Sequence, residues 1–165
     1  MAREYYQIKN LYPNLKKPER YTSQNKNIVC RSSWETKFVL KWLDVHQDII
    51  EWSSEELIIP YLCPVRNMTP HRYFPDYLVK MKDKDGNIIE LLIEIKPEQE
   101  RFLIENLNTF KPKRMTKSAK EKIESAVKNR AKWEAANAYC IREQKKGRNI
   151  HFVVITEKNS PVPFV

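Results

Sequence analysis

No stretch of this sequence approaches the ~18–20 consecutive apolar residues that a membrane span requires, so a membrane-spanning protein is not expected. The first ten residues, MAREYYQIKN, lack the apolar core of a secretory signal. Cysteine is sparse: Cys30, Cys63 and Cys140 make an odd count without paired spacing. That excludes a disulfide framework and fits a reducing, intracellular compartment. Internal repeats and low-complexity segments are absent. Glycine is almost missing, with only Gly86 and Gly147 in the chain, so each marks a place where the backbone must turn.

What is present is a core and an excess of positive charge. The chain has 165 residues, 41% of them hydrophobic, with six Phe, eight Tyr and four Trp. That suffices for one folded domain and argues against disorder. The net charge is +9 and the pI about 9.4, a balance that favours a polyanionic partner, nucleic acid or an acidic membrane surface. The densest basic run, KPKRMTKSAKEK, places Lys111, Lys113, Arg114, Lys117, Lys120 and Lys122 within twelve residues. These six are the expected DNA-binding residues.

Residues 1–30 are polar and aperiodic, with Pro13 and Pro18, and read as an extended N-terminal arm; residues 31–165 read as a single domain. At RSSWETKFVLKWLDVHQ the pattern turns helical: Ser32 or Ser33 can cap, and Trp34, Phe38, Val39, Trp42 and Val45 recur at helical spacing. IIEWSSEELIIPY predicts short extended segments. RYFPDYLVKM predicts a strand, DKDGN a turn and IIELLIEIK a second strand, which together form a hairpin. Residues 118–146 predict a long helix with Ile123, Val127, Ala131 and Ala135 stepping by four and Gly147 at its end. NIHFVVITE predicts a closing buried strand. The expected fold class is α/β, a central mixed sheet flanked by helices.

One strand carries an oddity. In ELLIEIKP, the face formed by Ile89, Leu91, Ile93 and Ile95 is apolar, whereas the other holds Glu90, Leu92, Glu94 and Lys96. Inside a sheet, an ionised carboxylate is costly unless something pairs with it. The turn sets the register. If Gly86 takes the left-handed position of a three-residue loop, Asp83 pairs with Asn87, and counting outward puts Asp76 opposite Glu94. Two facing carboxylates repel, and a divalent cation relieves the conflict. Lys96 lies on the same face and can stabilise charge on a phosphate. Glu35, beside the apolar stripe of the first helix, either serves the helix start or adds a third acid to this group.

Each element is ordinary when taken singly. Glu-x-Lys also occurs as ETK at 35–37 and EQK at 143–145, and such a pair is more often a plain ion pair than a site. Cys63 and His71 are too few for zinc. Lys132 reads as a surface residue and Trp133 as core. The signal lies in the conjunction of an acid on an upstream helix, Pro-Asp on one hairpin strand and Glu-x-Lys on the next.

Glu35, FPD at 74–76 and IEIK at 93–96 resemble, in type and order, the active site of the PD-(D/E)XK nuclease superfamily. The phrases SSWETKF, RYFPDYLV, LLIEIKP, KWEAANAYC and FVVITE resemble its TnsA-type branch, and the chain as a whole is similar to head-completion nucleases of T-even-type tailed phages. The resemblance spans roughly residues 30–157. It implies a restriction-endonuclease-like core and Mg²⁺-dependent cleavage of double-stranded DNA, with Mn²⁺ as a substitute. Asp76 and Glu94 would be metal ligands, Lys96 the catalytic lysine and Glu35 a supporting acid. It also implies action in the host cytoplasm or the virion during head completion, with portal or neck proteins of the capsid as partners. Two other expectations stand beside it: a non-catalytic basic DNA-binding or capsid-connector protein, and an RNA-processing nuclease.

Overall fold

The computed structural model describes residues 10–164. Its centre is a four-stranded mixed sheet formed by β1 (Ile49–Ser54), β4 (Tyr77–Lys82), β5 (Ile88–Ile95) and β6 (Ile150–Ile155), in the order β1-β4-β5-β6. The first three strands are antiparallel neighbours, and β6 runs parallel to β5. A parallel neighbour requires a crossover. Here it is made by α2 (Glu98–Glu105) and α3 (Lys117–Gln144). Strands β2 (Ile59–Cys63) and β3 (Thr69–Tyr73) form a separate antiparallel pair.

Alternation of side chains across β5 divides the interior in two. On one face Ile93 and Ile95 pack with Tyr77, Val79 and the first helical segment. That segment is α1 (Ser33–Phe38), continued by a π-turn over Val39–Leu43, and it buries Phe38, Val39, Trp42 and Leu43. On the other face Leu92 packs with Cys63, Tyr73, Ala136, Cys140 and Ile150, so α3 and the β2–β3 pair cover the side of the sheet that also carries Glu94.

The hairpin has the anticipated register. Gly86 has φ +83°, its N–H donates to Asp83 O at 3.1 Å, and Asp83 N–H donates to Asn87 O at 2.8 Å. Tyr77 then faces Ile93. The preceding strand differs from expectation. RYFPDYLVKM is not continuous: β3 ends at Tyr73 in one sheet and β4 starts at Tyr77 in another. The break falls at Phe74, Pro75 and Asp76, and proline, which has no N–H to give, suits an interruption in a ladder.

The long helix forms as expected, but its buried positions are Ala126, Asn129, Trp133, Ala136 and Cys140, and the anticipated stripe 123/127/131/135 lies at the margin. Gly147, at φ +91°, closes the chain after it. Helix α2 has no counterpart among the sequence expectations.

Of the N-terminal arm, residues 1–9 lie outside the described residues. From Asn10 onward the chain lies on the core, burying Leu11, Leu15, Tyr21 and Ile28. It is pinned by Asp44, only 1% exposed, whose carboxylate accepts the backbone N–H groups of Lys16 and Lys17 at 2.7 and 2.8 Å. At the other end Phe164 stacks on Trp34 with ring centroids 5.0 Å apart, and its carbonyl accepts from Lys37 Nζ.

Candidate active site

Strand β5 carries two acids on the face toward α3, and they are treated differently. Glu90 is neutralised in the ordinary way: Arg148 donates to both its carboxylate oxygens, at 3.0 and 2.6 Å, and to Glu143 at 2.8 Å. This bidentate clamp leaves no room for further chemistry. Glu94, 5% exposed, has looser company. Lys96 Nζ stands 3.2 Å from its Oε1, and the Tyr73 hydroxyl donates to its Oε2 at 2.7 Å.

Asp76 sits where the β4–β5 ladder stops. At the next level Ile95 would face Pro75; instead the Ile95 N–H donates to Asp76 Oδ2 at 2.7 Å. The carbonyl of Asp76 accepts from Glu55 N–H at 3.1 Å. The hairpin thus brings Asp76, Glu94 and Lys96 together.

Asp76 feels both its burial and the neighbouring Glu94. Burial first, then the Glu94 charge, raises the proton affinity of Asp76 well above the usual aspartate range, and Glu35 adds to it; the Ile95 N–H and Lys96 act in the opposite direction but do not prevail. For Lys96 burial favours loss of the proton, but Glu94 and Asp76 outweigh it and hold the ammonium charged. Burial and the neighbouring Glu94 raise the Tyr73 phenol far above its ordinary value, so it remains a donor.

Glu35 serves the start of its helix. It forms a capping box: Ser32 Oγ accepts from Glu35 N–H at 3.2 Å and donates to Glu35 Oε1 at 2.9 Å, while Glu35 Oε2 accepts from Arg31 N–H at 2.9 Å. The same side chain lines, with Lys96, a cleft of about 320 Å³ bounded by Pro97 and Glu100.

Lys132 corrects the sequence expectation. It is half-buried on α3, with Nζ 5.4 Å from the centroid of the Tyr73 ring. Burial lowers its pKa, with Lys128 and Lys96 acting the same way, while Glu94 and Asp76 act against it. Among the described residues it joins no ion pair. Its neighbours could not be read from sequence, because what brings it to Glu94 is the packing of α3 over the sheet.

Among the described residues, no three His, Cys, Asp or Glu side chains converge to form a complete metal cage; Cys63 and His71 form no such group. The hard oxygen donors near one another are Asp76 and Glu94. The six basic residues of 111–122 are all exposed on the α2–α3 loop and the first turns of α3, and none joins an ion pair among the described residues. No helix is long and apolar enough to cross a membrane among the described residues.

Comparison with known proteins gives two findings. The family described as the TnsA-like endonuclease N-terminal domain matches residues 46–157, a span that includes Asp76, Glu94, Lys96 and Lys132 but not Glu35. A protein of Enterobacteria phage T4 named head completion nuclease is 36% identical over 142 residues, covering 84% of this chain and 84% of that one. No solved structure matches the chain significantly.

Proposed function

This chain belongs to the TnsA-like endonuclease family, and from that premise we propose that it is a Mg²⁺-dependent endodeoxyribonuclease that hydrolyses phosphodiester bonds of double-stranded DNA. The observation that carries this reading is the placement of the part-buried Asp76 next to Glu94 at the end of the hairpin ladder, with Lys96 Nζ 3.2 Å from Glu94. A structural ion pair would resemble Glu90 and Arg148, with the charges balanced and the oxygens filled. At Asp76 burial and the facing Glu94 instead raise the proton affinity of the carboxyl, a cost of ionisation that a divalent cation would relieve.

The residues fit Mg²⁺, with Mn²⁺ as a substitute. The ion takes oxygen ligands, commonly one or two carboxylates with water and substrate phosphate; Asp76 and Glu94 would hold it. When bound, Mg²⁺ supplies charge neutralisation at the phosphate oxygens. The remaining work falls to the chain's own groups. The Tyr73 hydroxyl and the Lys96 ammonium fix the Glu94 carboxylate in one orientation. Lys96 presents positive charge where the scissile phosphate would lie. Lys132 offers a second cation from the α3 side, and Glu35 an acid in the cleft that Lys96 also lines.

The name of the T4 relative places a nuclease at head completion. We extend that setting to this chain: it acts on DNA in the host cytoplasm during phage assembly, with portal or neck proteins as partners. A non-catalytic DNA-binding protein would use the same basic loop but has no need of the acid pair.

Supercoiled and linear DNA incubated with the protein, in Mg²⁺ or in EDTA, tests the reading. Cleavage is expected only with the metal, and Asp76→Ala or Glu94→Ala should abolish it while DNA binding persists. Absence of metal-dependent nicking by the wild type, or full cutting by Asp76→Ala, would sink the mechanism.

A further inference from the structure

A second, larger cavity adjoins the cleft. It is a groove of about 540 Å³ between α2 and α3, walled by Phe102, Leu103, Ile104, Phe110, Lys122 and Asn129. Pro97 and Glu100 border both hollows, so the groove opens next to the cleft that holds Glu35 and Lys96. One face of α3 runs from the groove toward Tyr73, since Lys122, Ser125, Asn129 and Lys132 recur at spacings of three, four and three residues. The first three line the groove, and Lys132 stands over Tyr73.

The lining is unusual for a surface meant only for water. Phe102 is 62% exposed and Phe110 43%, two aromatic rings in one hollow. Lys122 lines the same groove, and the exposed Lys111, Lys113 and Arg114 follow Phe110 directly in the chain. The apolar lining suits a duplex backbone poorly, because phosphates find no partner among phenylalanines. An unpaired strand fits it better: its bases have free π faces for Phe102 and Phe110, and its phosphates can meet Lys122 and the basic segment that follows Phe110. Glu100 is the one acidic side chain on the border, at the shared end nearest Lys96.

We infer that this groove seats unpaired DNA and leads it to the Asp76–Glu94 pair, so that the enzyme's substrate class is DNA with a frayed or single-stranded segment next to the cut. The inference rests on the nuclease reading for its destination, but the groove's preference for unpaired strands is testable without cleavage.

The test uses the full chain in EDTA, with fluorescence anisotropy on a labelled thymidine oligonucleotide and on a blunt duplex of equal length. Phe102→Ala and Phe110→Ala should each weaken binding to the single strand about tenfold, the range expected from loss of one base–aromatic stack, and leave duplex affinity within about twofold. Phe102→Trp should restore it. Thermal melts confirm folding, and since both rings are solvent-facing no collapse is expected. Equal losses on both DNA forms, or no loss on the single strand, overturn the proposal; the latter hands the groove to a protein partner. Aromatic-dependent single-strand binding in a protein that never cuts in Mg²⁺ would sink the nuclease reading alone and support this one.

Discussion

The Tyr73 hydroxyl donates to Glu94 across two sheets, at 2.7 Å. Tyr73 ends β3 in the β2–β3 pair, whereas Glu94 lies in the central sheet, so one hydrogen bond couples the small sheet to the candidate site. Tyr73→Phe keeps the buried ring and removes the donor. The expected cost is about 1–3 kcal/mol, as for a bond to a charged group, measured by denaturant melts, with a drop in cleavage of tenfold or more. Unchanged cleavage would mean that Glu94 does not need this support.

Asp76 should give the metal-free protein an unusual dependence on pH. Its folded carboxyl holds its proton above the ordinary value of 3.8, so in the window above 3.8 the folded state binds more protons than the unfolded one. Stability from this group is then fully present below 3.8 and is lost as pH rises through the folded value. Asp76→Asn, neutral throughout, should gain stability over wild type as pH rises above 4, and the gain should level off once Asp76 is ionised. Each tenfold difference in proton affinity is worth about 1.4 kcal/mol. Melting curves in EDTA from pH 4 to 8 check the sign; a gain that shrinks with rising pH refutes it.

Lys132→Met should reduce cleavage about a hundredfold, the scale for removing one positioned donor from a developing charge. DNA affinity, set largely by the exposed loop, should change little. Single-turnover rates and filter binding separate the two. Normal turnover would return Lys132 to a packing role over Tyr73.

Glu35 and Ser32 share a capping box, so comparison of the two isolates any chemistry. Ser32→Ala should cost about 1 kcal/mol and leave cleavage near normal. Glu35→Gln preserves an acceptor for the Ser32 and Arg31 donors, so it should remain folded yet cut more slowly. Equal activity in both would confine Glu35 to the start of its helix.

The triple variant with Gln at 111, 113 and 114 should bind all DNA sequences more weakly and flatten the salt dependence. The slope of log affinity against log salt should fall by about 0.9 for each residue that touches a phosphate. An unaltered slope would put the phosphate track on another surface.

Much of the site could be read in advance because it rests on local chemistry. Gly86 fixes the turn, the turn fixes the register, and the register brings Asp76 to Glu94. The switch of sheets at Pro75 was hidden because period-two alternation runs through RYFPDYLV without a gap, and proline alone does not say which strand a segment will join. Helix α2 was hidden by its shortness and by Phe102, Leu103 and Ile104 falling consecutively, which is not a helical period. Lys132 and the groove depend on how α3 lies over the sheet and against α2, which no local pattern encodes. The arm resisted for a similar reason: what holds it is Asp44, a distant acid that accepts two backbone N–H groups.

The Ile95 N–H, ending the β4–β5 ladder on a side chain instead of a carbonyl, makes one amide a resident observer of the candidate site. Its resonance should follow the charge on Asp76, whereas that of Lys96, bonded to Ile155 O at 2.9 Å, should not. A ligand that drew the Asp76 carboxylate away would free that one amide to exchange with solvent while its neighbours stayed protected. Occupancy could then be read by nuclear magnetic resonance without any DNA being cut.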